Sequence, residues 1–251
     1  MQTLFVGQNL IELQEVDSTN NFATILINTT NIIDGTVIMA YRQFAGKGQR
    51  GNTWISEPEK NLTFSIIIGN ATVGLGVFPN FDLSKATALA ISDYLTERKK
   101  LSVQVKWPND VFVNDRKIAG ILIEFIYRGN LPRFAVVGVG LNVNQTEFSN
   151  FFCATSLKTE LQSDFEVKEI LKELLPYVEK RYMQLRSDRG RRDLHDGYLN
   201  KLLGYGESIN YIHEEQKKTG VITGLSSDGK IEIENAGALQ RFEMKEIKLL
   251  L

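Results

Sequence analysis

Apolar and polar positions alternate through much of the chain, and the places where the alternation carries a charge or a glycine are the informative ones. Val103, Val105 and Trp107 fall on one face of a period-two segment and Gln104 and Lys106 on the other, which predicts a short strand presenting a single ammonium. Pro108 sets its own φ and biases Trp107 towards extended geometry, so that strand ends just after the lysine. Residues 118–125 are long and β-branched enough for an interior strand, returned by a turn at Asn114-Asp115. Strands are also predicted over residues 10–16, 36–41, 62–68 and 133–144. On local pattern alone, a plain hairpin with a snorkelling Lys106 explains the first of these features as well as a catalytic lysine does.

Helical periodicity is confined to three stretches. Asp17-Ser18-Thr19-Asn20-Asn21 stands ahead of Phe22, Ile25 and Leu26, so Asp17 or Ser18 caps an amphipathic helix reaching about Asn28. That cap gathers the polar groups of Ser18, Thr19 and Asn20 at one strand end, whether as a binding element or as a plain N-cap. Asp82 or Ser84 starts a second helix, through Lys100, with Leu83, Ala86, Leu89, Ala90 and Leu95 as its buried stripe. Residues 167–186 form a third, with Pro176 as an expected kink. Residues 148–156 read as irregular, and the mixed charges of residues 186–193 read as solvated surface.

From Leu203 the pattern changes to short strands at residues 208–213, 219–225, 231–234 and 239–244, with turns at Asp228-Gly229 and Asn235-Ala236-Gly237. Strands and helices over residues 1–202, followed by strands alone, give an α+β chain that ends in a separate small β-barrel of the SH3-like size class over residues 203–251.

Two glycine patterns point to ligand chemistry. Gly46, Gly48 and Gly51 alternate with Lys47 and Arg50 between the strand ending near Tyr41 and Trp54, a basic loop whose backbone N–H groups suit a phosphate. It is not a P-loop, since no Gly-Lys-Ser or Gly-Lys-Thr follows, nor a dinucleotide fingerprint, since Trp54 leads into another strand. In the segment 136–143, Gly138 and Gly140 share a face with Asn142, which suggests a smooth floor ending in a polar group, with a bulge as the other explanation.

Composition narrows the function classes. Lys+Arg 29 against Asp+Glu 30 over 251 residues gives a formal net charge of -1, so no global basic field indicates a nucleic-acid partner. Cys153 is the single cysteine, the start lacks a basic n-region, and no apolar run approaches a membrane span, all of which predict a cytoplasmic protein without disulfides. With two histidines, zinc spacing and nucleophile–histidine sets have little support.

Asp17-Ser18-Thr19-Asn20, Gln43 with Ala45-Gly46-x-Gly48, Trp54, Lys106-Trp107-Pro108-Asn109-Asp110, Lys117-x-Ala119-Gly120-Ile121-Leu122-x-Glu124 and Gly138-x-Gly140-x-Asn142 occur in that order. Together they resemble the biotin protein ligases, also called biotin–acetyl-CoA-carboxylase ligases, over nearly the whole chain from Leu10. The resemblance implies a mixed-sheet α+β catalytic domain of the biotin/lipoate ligase type followed by the family's SH3-like C-terminal domain, and an ATP-dependent ligase that makes biotinyl-5′-adenylate and transfers biotin to a lysine of a biotin carboxyl carrier protein or domain, with Mg2+ accompanying ATP and biotin as substrate. It implies Lys106 as the catalytic cation. It places Ser18, Thr19, Asn20, Gln43, Gly46, Gly120, Gly138 and Gly140 around biotin. Lys47, Gln49, Arg50, Trp54, Lys106, Asn109 and Asn142 fall on the nucleotide side, and metal ligands are not indicated.

The family's loop usually reads Gly-Arg-Gly-Arg-x-x-Arg-x-Trp, whereas here Lys47, Gln49 and Asn52 hold the arginine places. Members that double as repressors carry a winged helix-turn-helix before the Asp-Ser-Thr-Asn element, and with sixteen residues before Asp17 a ligase without repressor function is expected. A lipoate or octanoate transferase of the same fold predicts an Arg-Arg-x-Ser-Gly-Gly-Gly loop that is absent here. A non-catalytic nucleotide- or carrier-binding module is the other rival. No membrane partner is indicated, and monomer and homodimer both remain open.

Overall fold

The computed structural model describes residues 3–69, 80–148 and 153–250, with the side chain of Arg50 outside the described residues. Seven strands form the larger sheet: β1 (Leu10–Val16), β2 (Val37–Gln43), β3 (Asn61–Gly69), β4 (Val103–Lys106), β5 (Asp110–Val113), β6 (Arg116–Arg128) and β7 (Leu131–Asn142). Their order across the sheet is β1-β2-β3-β7-β6-β5-β4, with β1 and β2 parallel and the remaining pairs antiparallel. The β5–β6 connection is the expected tight turn, with Asn114 and Asp115 at φ 47° and 59°, the left-handed pair that two-residue hairpins favour.

Period-two alternation decides what each face of this sheet does. Leu62, Phe64 and Ile66 of β3, Val137, Val139 and Leu141 of β7, and Val105 and Val111 of β4 and β5 point to one side and are buried. There they meet α2 (Phe81–Glu97) and α4 (Val167–Gln184), with a short α3 (Leu157–Leu161) between them in sequence and α5 (Asp188–Lys201) packed beside α2 and α4. The opposite face is only half covered. Helix α1 (Thr19–Thr29) lies over β2, β3 and β7, sealing a small core of Ala23, Ile38, Ile67 and Val136, and leaves the β7-β6-β5-β4 end of that face open.

Several elements differ from the sequence expectations. Helix α2 begins at Phe81 with Asn80 as its N-cap, ahead of the expected Asp82 or Ser84. Asp82 is in the first turn and pairs at 2.8 Å with Lys85, both buried, so it neutralises a buried lysine rather than capping. Pro176 sits inside a continuous α4. Most of the charged stretch 186–193 lies in the first turns of α5, which the sequence reading left as surface, because Leu194 and Tyr198 are the helix's only large buried side chains.

The C-terminal strands β8 (Ser208–His213), β9 (Gln216–Leu225), β10 (Ile231–Asn235), β11 (Ala238–Phe242) and β12 (Ile247–Leu250) form a second, antiparallel sheet in the order β11-β10-β9-β8-β12. The edge strand β12 was absent from the sequence expectation. This sheet is not an independent appendage. Leu203 N donates to Val105 O at 2.9 Å, Trp107 Nε1 donates to Gly229 O at 3.0 Å, and one hydrophobic cluster runs from Val105 and Trp107 to Tyr211 and Ile231.

Candidate active site

Register carries the open half of the large sheet into a single floor. Thr63 pairs with Gly140, Gly140 with Gly120, Gly120 with Asp110, and Asp110 with Lys106, so residues from five strands lie in one row on the face that α1 leaves uncovered. A cleft of about 990 Å³ stands over that row.

At one end, helix α1 meets β2. Ser18 occupies the N-cap position but makes no side-chain cap bond; Gln43, at the end of β2, does that work by accepting from Thr19 N at 2.8 Å and Thr19 Oγ1 at 3.1 Å. With its Oε1 spent in this way, Gln43 keeps its amide NH2 for another partner. Ser65 Oγ lies 2.7 Å from Thr19 Oγ1 and 2.6 Å from Asn20 Oδ1, and Asn20 Nδ2 donates to Glu124 Oε2 at 2.7 Å. Asn20 is thus buried with both ends of its amide engaged by protein. Asp17 accepts from Asn21 Nδ2 at 2.5 Å, and this bond holds its carboxyl below the ordinary aspartate range.

At the other end, Lys106 is half-buried with its ammonium 5.5 Å from the Phe112 ring. Burial lowers its pKa, Asp110 opposes that shift, and Lys117 and Lys248 add to it. Asp110 itself pairs with Lys117 at 2.7 Å. Asn109 Nδ2 donates to Ile121 O at 2.7 Å and Asn142 Nδ2 to Thr155 O at 2.9 Å, so both amides brace the cleft wall while lining it.

The two glycines of β7 serve side chains of the chain itself. A Cβ on Gly138 would overlap the Asn20 amide, and one on Gly140 would overlap the Trp54 indole, which also lies against Gly120. The smooth floor expected from the sequence is therefore tiled by Asn20 and Trp54. The Lys117 ammonium lies 5.5 Å from the centroid of the Trp54 ring, whose Nε1 is buried without a hydrogen-bond partner among the described residues.

The glycine-rich segment folds back on itself: Lys47 bridges Thr53, Gly48 N donates to Asn52 O at 2.7 Å, Trp54 N donates to Gly46 O at 2.9 Å, and residues 49–51 make one 3-10 turn. Lys47 and Gln49 line the cleft, whereas Gly46 lines an adjoining hollow that Lys47 and Glu124 share, with their charges 3.9 Å apart. Arg50's side chain lies outside the described residues.

Of the described residues singled out from sequence, all but Gly46 line the cleft. The sequence reading quoted Asp110, Lys117 and Glu124 without assigning them a role, and it passed over Ser65, although the alternation of Asn61, Thr63 and Ser65 with Leu62, Phe64 and Ile66 was a visible signal. It also expected every site residue to precede Val143. Met244, Ile247, Lys248 and Leu249 of the C-terminal segment line the cleft as well, a long-range juxtaposition with no local signature.

The model of the biotin/lipoate A/B protein ligase family matches residues 11–142. The bifunctional ligase/repressor BirA of Bacillus subtilis (strain 168) is 26% identical over 253 residues, which cover 99% of this chain and 76% of that protein. The biotin--[acetyl-CoA-carboxylase] ligase of Paracoccus denitrificans is also 26% identical, across 94% of this chain and 98% of that protein. Among solved structures, the biotin protein ligase from Aquifex aeolicus in complex with biotin and ATP superposes with a TM-score of 0.80 at 28% identity, covering 96% of this chain and 98% of the other.

Proposed function

Since this chain belongs to the biotin/lipoate A/B protein ligase family, we infer that it is an ATP-dependent biotin protein ligase, acting on a biotin carboxyl carrier protein or domain. One observation carries the reading to particular atoms. The row from Thr63 to Lys106 puts a fixed ammonium at one end of a long cleft and the amide network of Gln43, Thr19 and Asn20 at the other. That spacing suits a bicyclic urea whose carboxylate tail runs towards a nucleotide.

In the first step a carboxylate oxygen of biotin attacks the α-phosphorus of ATP. The bond to the bridging oxygen breaks, and pyrophosphate leaves with its electron pair. Two unit charges about 4 Å apart repel by roughly 4 kcal/mol at an effective dielectric of 20, so a fixed cation is needed where they meet. Lys106 supplies it and stabilises charge growing on the phosphoryl oxygens. Mg2+ accompanying ATP as part of the substrate would neutralise the pyrophosphate leaving group.

In the second step the amine of a carrier lysine attacks the acyl carbon, an amide forms, AMP leaves, and the amine's extra proton passes to solvent. Neither step requires a protein nucleophile. Gln43, Ser18 and Thr19 face the ureido end. Asn20 acts by holding Ser65 and Thr19 in place, and Trp54 with Lys47 and Gln49 covers the adenylate. The division at residues 202 and 203 separates the segment that carries this chemistry from the sheet that closes it.

Biotin-dependent exchange of labelled pyrophosphate into ATP, followed by biotin transfer to a recombinant carrier domain, tests the reading. Exchange that depends on lipoate or octanoate instead of biotin would overturn it in favour of the related transferases, and no exchange with any of these acids would leave a non-catalytic module.

A further inference from the structure

Helix α3 stands behind the cleft wall, and its one acid is nearly out of solvent, with 5% of the Glu160 side chain exposed. Glu160 Oε1 accepts from Thr155 Oγ1 at 2.5 Å and from Arg116 Nη2 at 2.8 Å, while Oε2 accepts from Asn114 Nδ2 at 2.9 Å. One carboxylate thus ties together the β5–β6 turn, the start of β6 and residues 153–155, with a guanidinium among its donors. What residues 153–155 touch gives the tie its interest. They run parallel to the start of β6, with Lys117 N donating to Cys153 O at 2.7 Å and Thr155 N to Lys117 O at 2.9 Å. Thr155 O in turn accepts from Asn142 Nδ2 at 2.9 Å, in a buried bond. Asn142 and Lys117 line the cleft, and Glu160 reaches it only through them. Thr155 is fully buried, so without Glu160 its hydroxyl would have to find another acceptor, and the segment would shift to supply one.

We propose that Glu160 is a positioning residue for nucleotide binding: acting through Thr155, it sets the backbone of residues 153–155 and with it the Asn142 amide and the start of β6 that carries Lys117. The inference rests on the ligase reading, which puts Asn142 on the nucleotide side. The arms of the network are separable. The Asn114 bond serves the turn alone, and because Asn114 sits at φ 47°, glycine there keeps the turn while deleting the bond. The Thr155 bond is the arm that leads to the cleft.

The test uses the full chain and the variants Glu160→Ala, Glu160→Gln, Thr155→Val and Asn114→Gly. In biotin-dependent pyrophosphate exchange, Glu160→Ala should raise the KM for ATP about tenfold, the size of one hydrogen bond displaced from the nucleotide, with the KM for biotin unchanged. Thr155→Val, which keeps the branched shape and removes the hydroxyl, should reproduce most of that rise. Glu160→Gln, whose carbonyl can take the place of Oε1, should stay near the parent, and Asn114→Gly should match it. A parent-like KM for ATP in Thr155→Val would overturn the proposal, and this variant decides even where Glu160→Ala does not fold. So would equal rises in the KM for ATP and for biotin, or a rise in Asn114→Gly as large as that in Glu160→Ala, since either would make Glu160 a stabiliser of the domain at large. Direct titration with ATP alone needs no biotin and separates this inference from the ligase reading. ATP binding that weakens in Thr155→Val, in a parent chain that shows no exchange, would overturn the ligase reading while sustaining the role of Glu160. Exchange by the parent with ATP binding unchanged in Thr155→Val would do the reverse.

Discussion

Lys106 is pulled in two directions: burial lowers its pKa from the ordinary 10.5, and the neighbouring Asp110 resists. Adenylate formation needs its cationic form, so the rate should fall as pH rises through a pKa below 10.5, giving an alkaline limb earlier than an ordinary lysine would. Pyrophosphate exchange is the right assay, because no carrier amine titrates in it. Lys106→Ala should abolish exchange while leaving the circular dichroism spectrum and melting temperature near those of the parent, since Val103 and Val105 anchor the strand from its other face. Lys106→Arg should also be poor, a planar fork replacing a compact ammonium. Glu124 acts at one remove. Its carboxylate fixes the Asn20 amide, and removing it in Glu124→Ala leaves a buried donor with only Leu122 O at 3.4 Å. The KM for biotin should then rise roughly tenfold, the scale of one charge-assisted hydrogen bond, with the KM for ATP unchanged.

Among the elements, β7 and the loop before Trp54 act together. Gly140 exists so that the indole can lie on the strand, and Gly140→Ala should force the ring away. Overpacking of this kind costs about 1–3 kcal/mol, read as a lower melting temperature together with a changed near-ultraviolet dichroism of the tryptophans. The loop itself carries Lys47, Gln49 and Asn52 where an arginine-rich form would carry guanidinium groups. Glutamine offers a phosphate no charge, and lysine offers one without a bidentate fork. Gln49→Arg should therefore slow dissociation of labelled biotinyl-adenylate by about one to two orders of magnitude, since a charged hydrogen bond contributes roughly 1.5–3 kcal/mol. Equal off-rates in the parent, Gln49→Arg and Lys47→Arg would assign the hold on the adenylate to Arg50 and the backbone.

For the molecule as a whole, the two sheets share one apolar core. A chain ended at residue 202 would expose Trp107 and Phe81, strip Trp107 Nε1 of its Gly229 acceptor, and leave Val105 O without Leu203 N. Each large side chain uncovered costs about 1.5–3 kcal/mol, so the truncated chain should melt well below the parent and bind a hydrophobic dye. The sequence pattern alone suggested a clean cut at Leu203. A truncated chain with the parent's melting temperature would restore that view and make the second sheet a mere attachment.

The sequence by itself determined most of the strands, because period-two alternation is a property of neighbouring residues, while the four-residue β5 and β12 were too short to show it. It likewise determined the Asn114-Asp115 turn, the helix after Asp17, and the clustered types in which Lys106, Gln43 and the glycines occur. The polar stretch that became α5 escaped it. Gly190 and Gly197 weaken any helical signal there, while Gly190 is needed because a Cβ would overlap the Gln184 backbone. Tertiary structure alone decided the row from Thr63 to Lys106, since register between strands far apart in sequence depends on pairing and bulges, and a one-residue slip would send each side chain to the opposite face. It also decided that the β7 glycines would receive Asn20 and Trp54, and that Lys248 would stand near Lys106 across well over a hundred intervening residues. Burial and charge at a site depend on what is brought together in space, and alternation along the chain records only which side each residue faces.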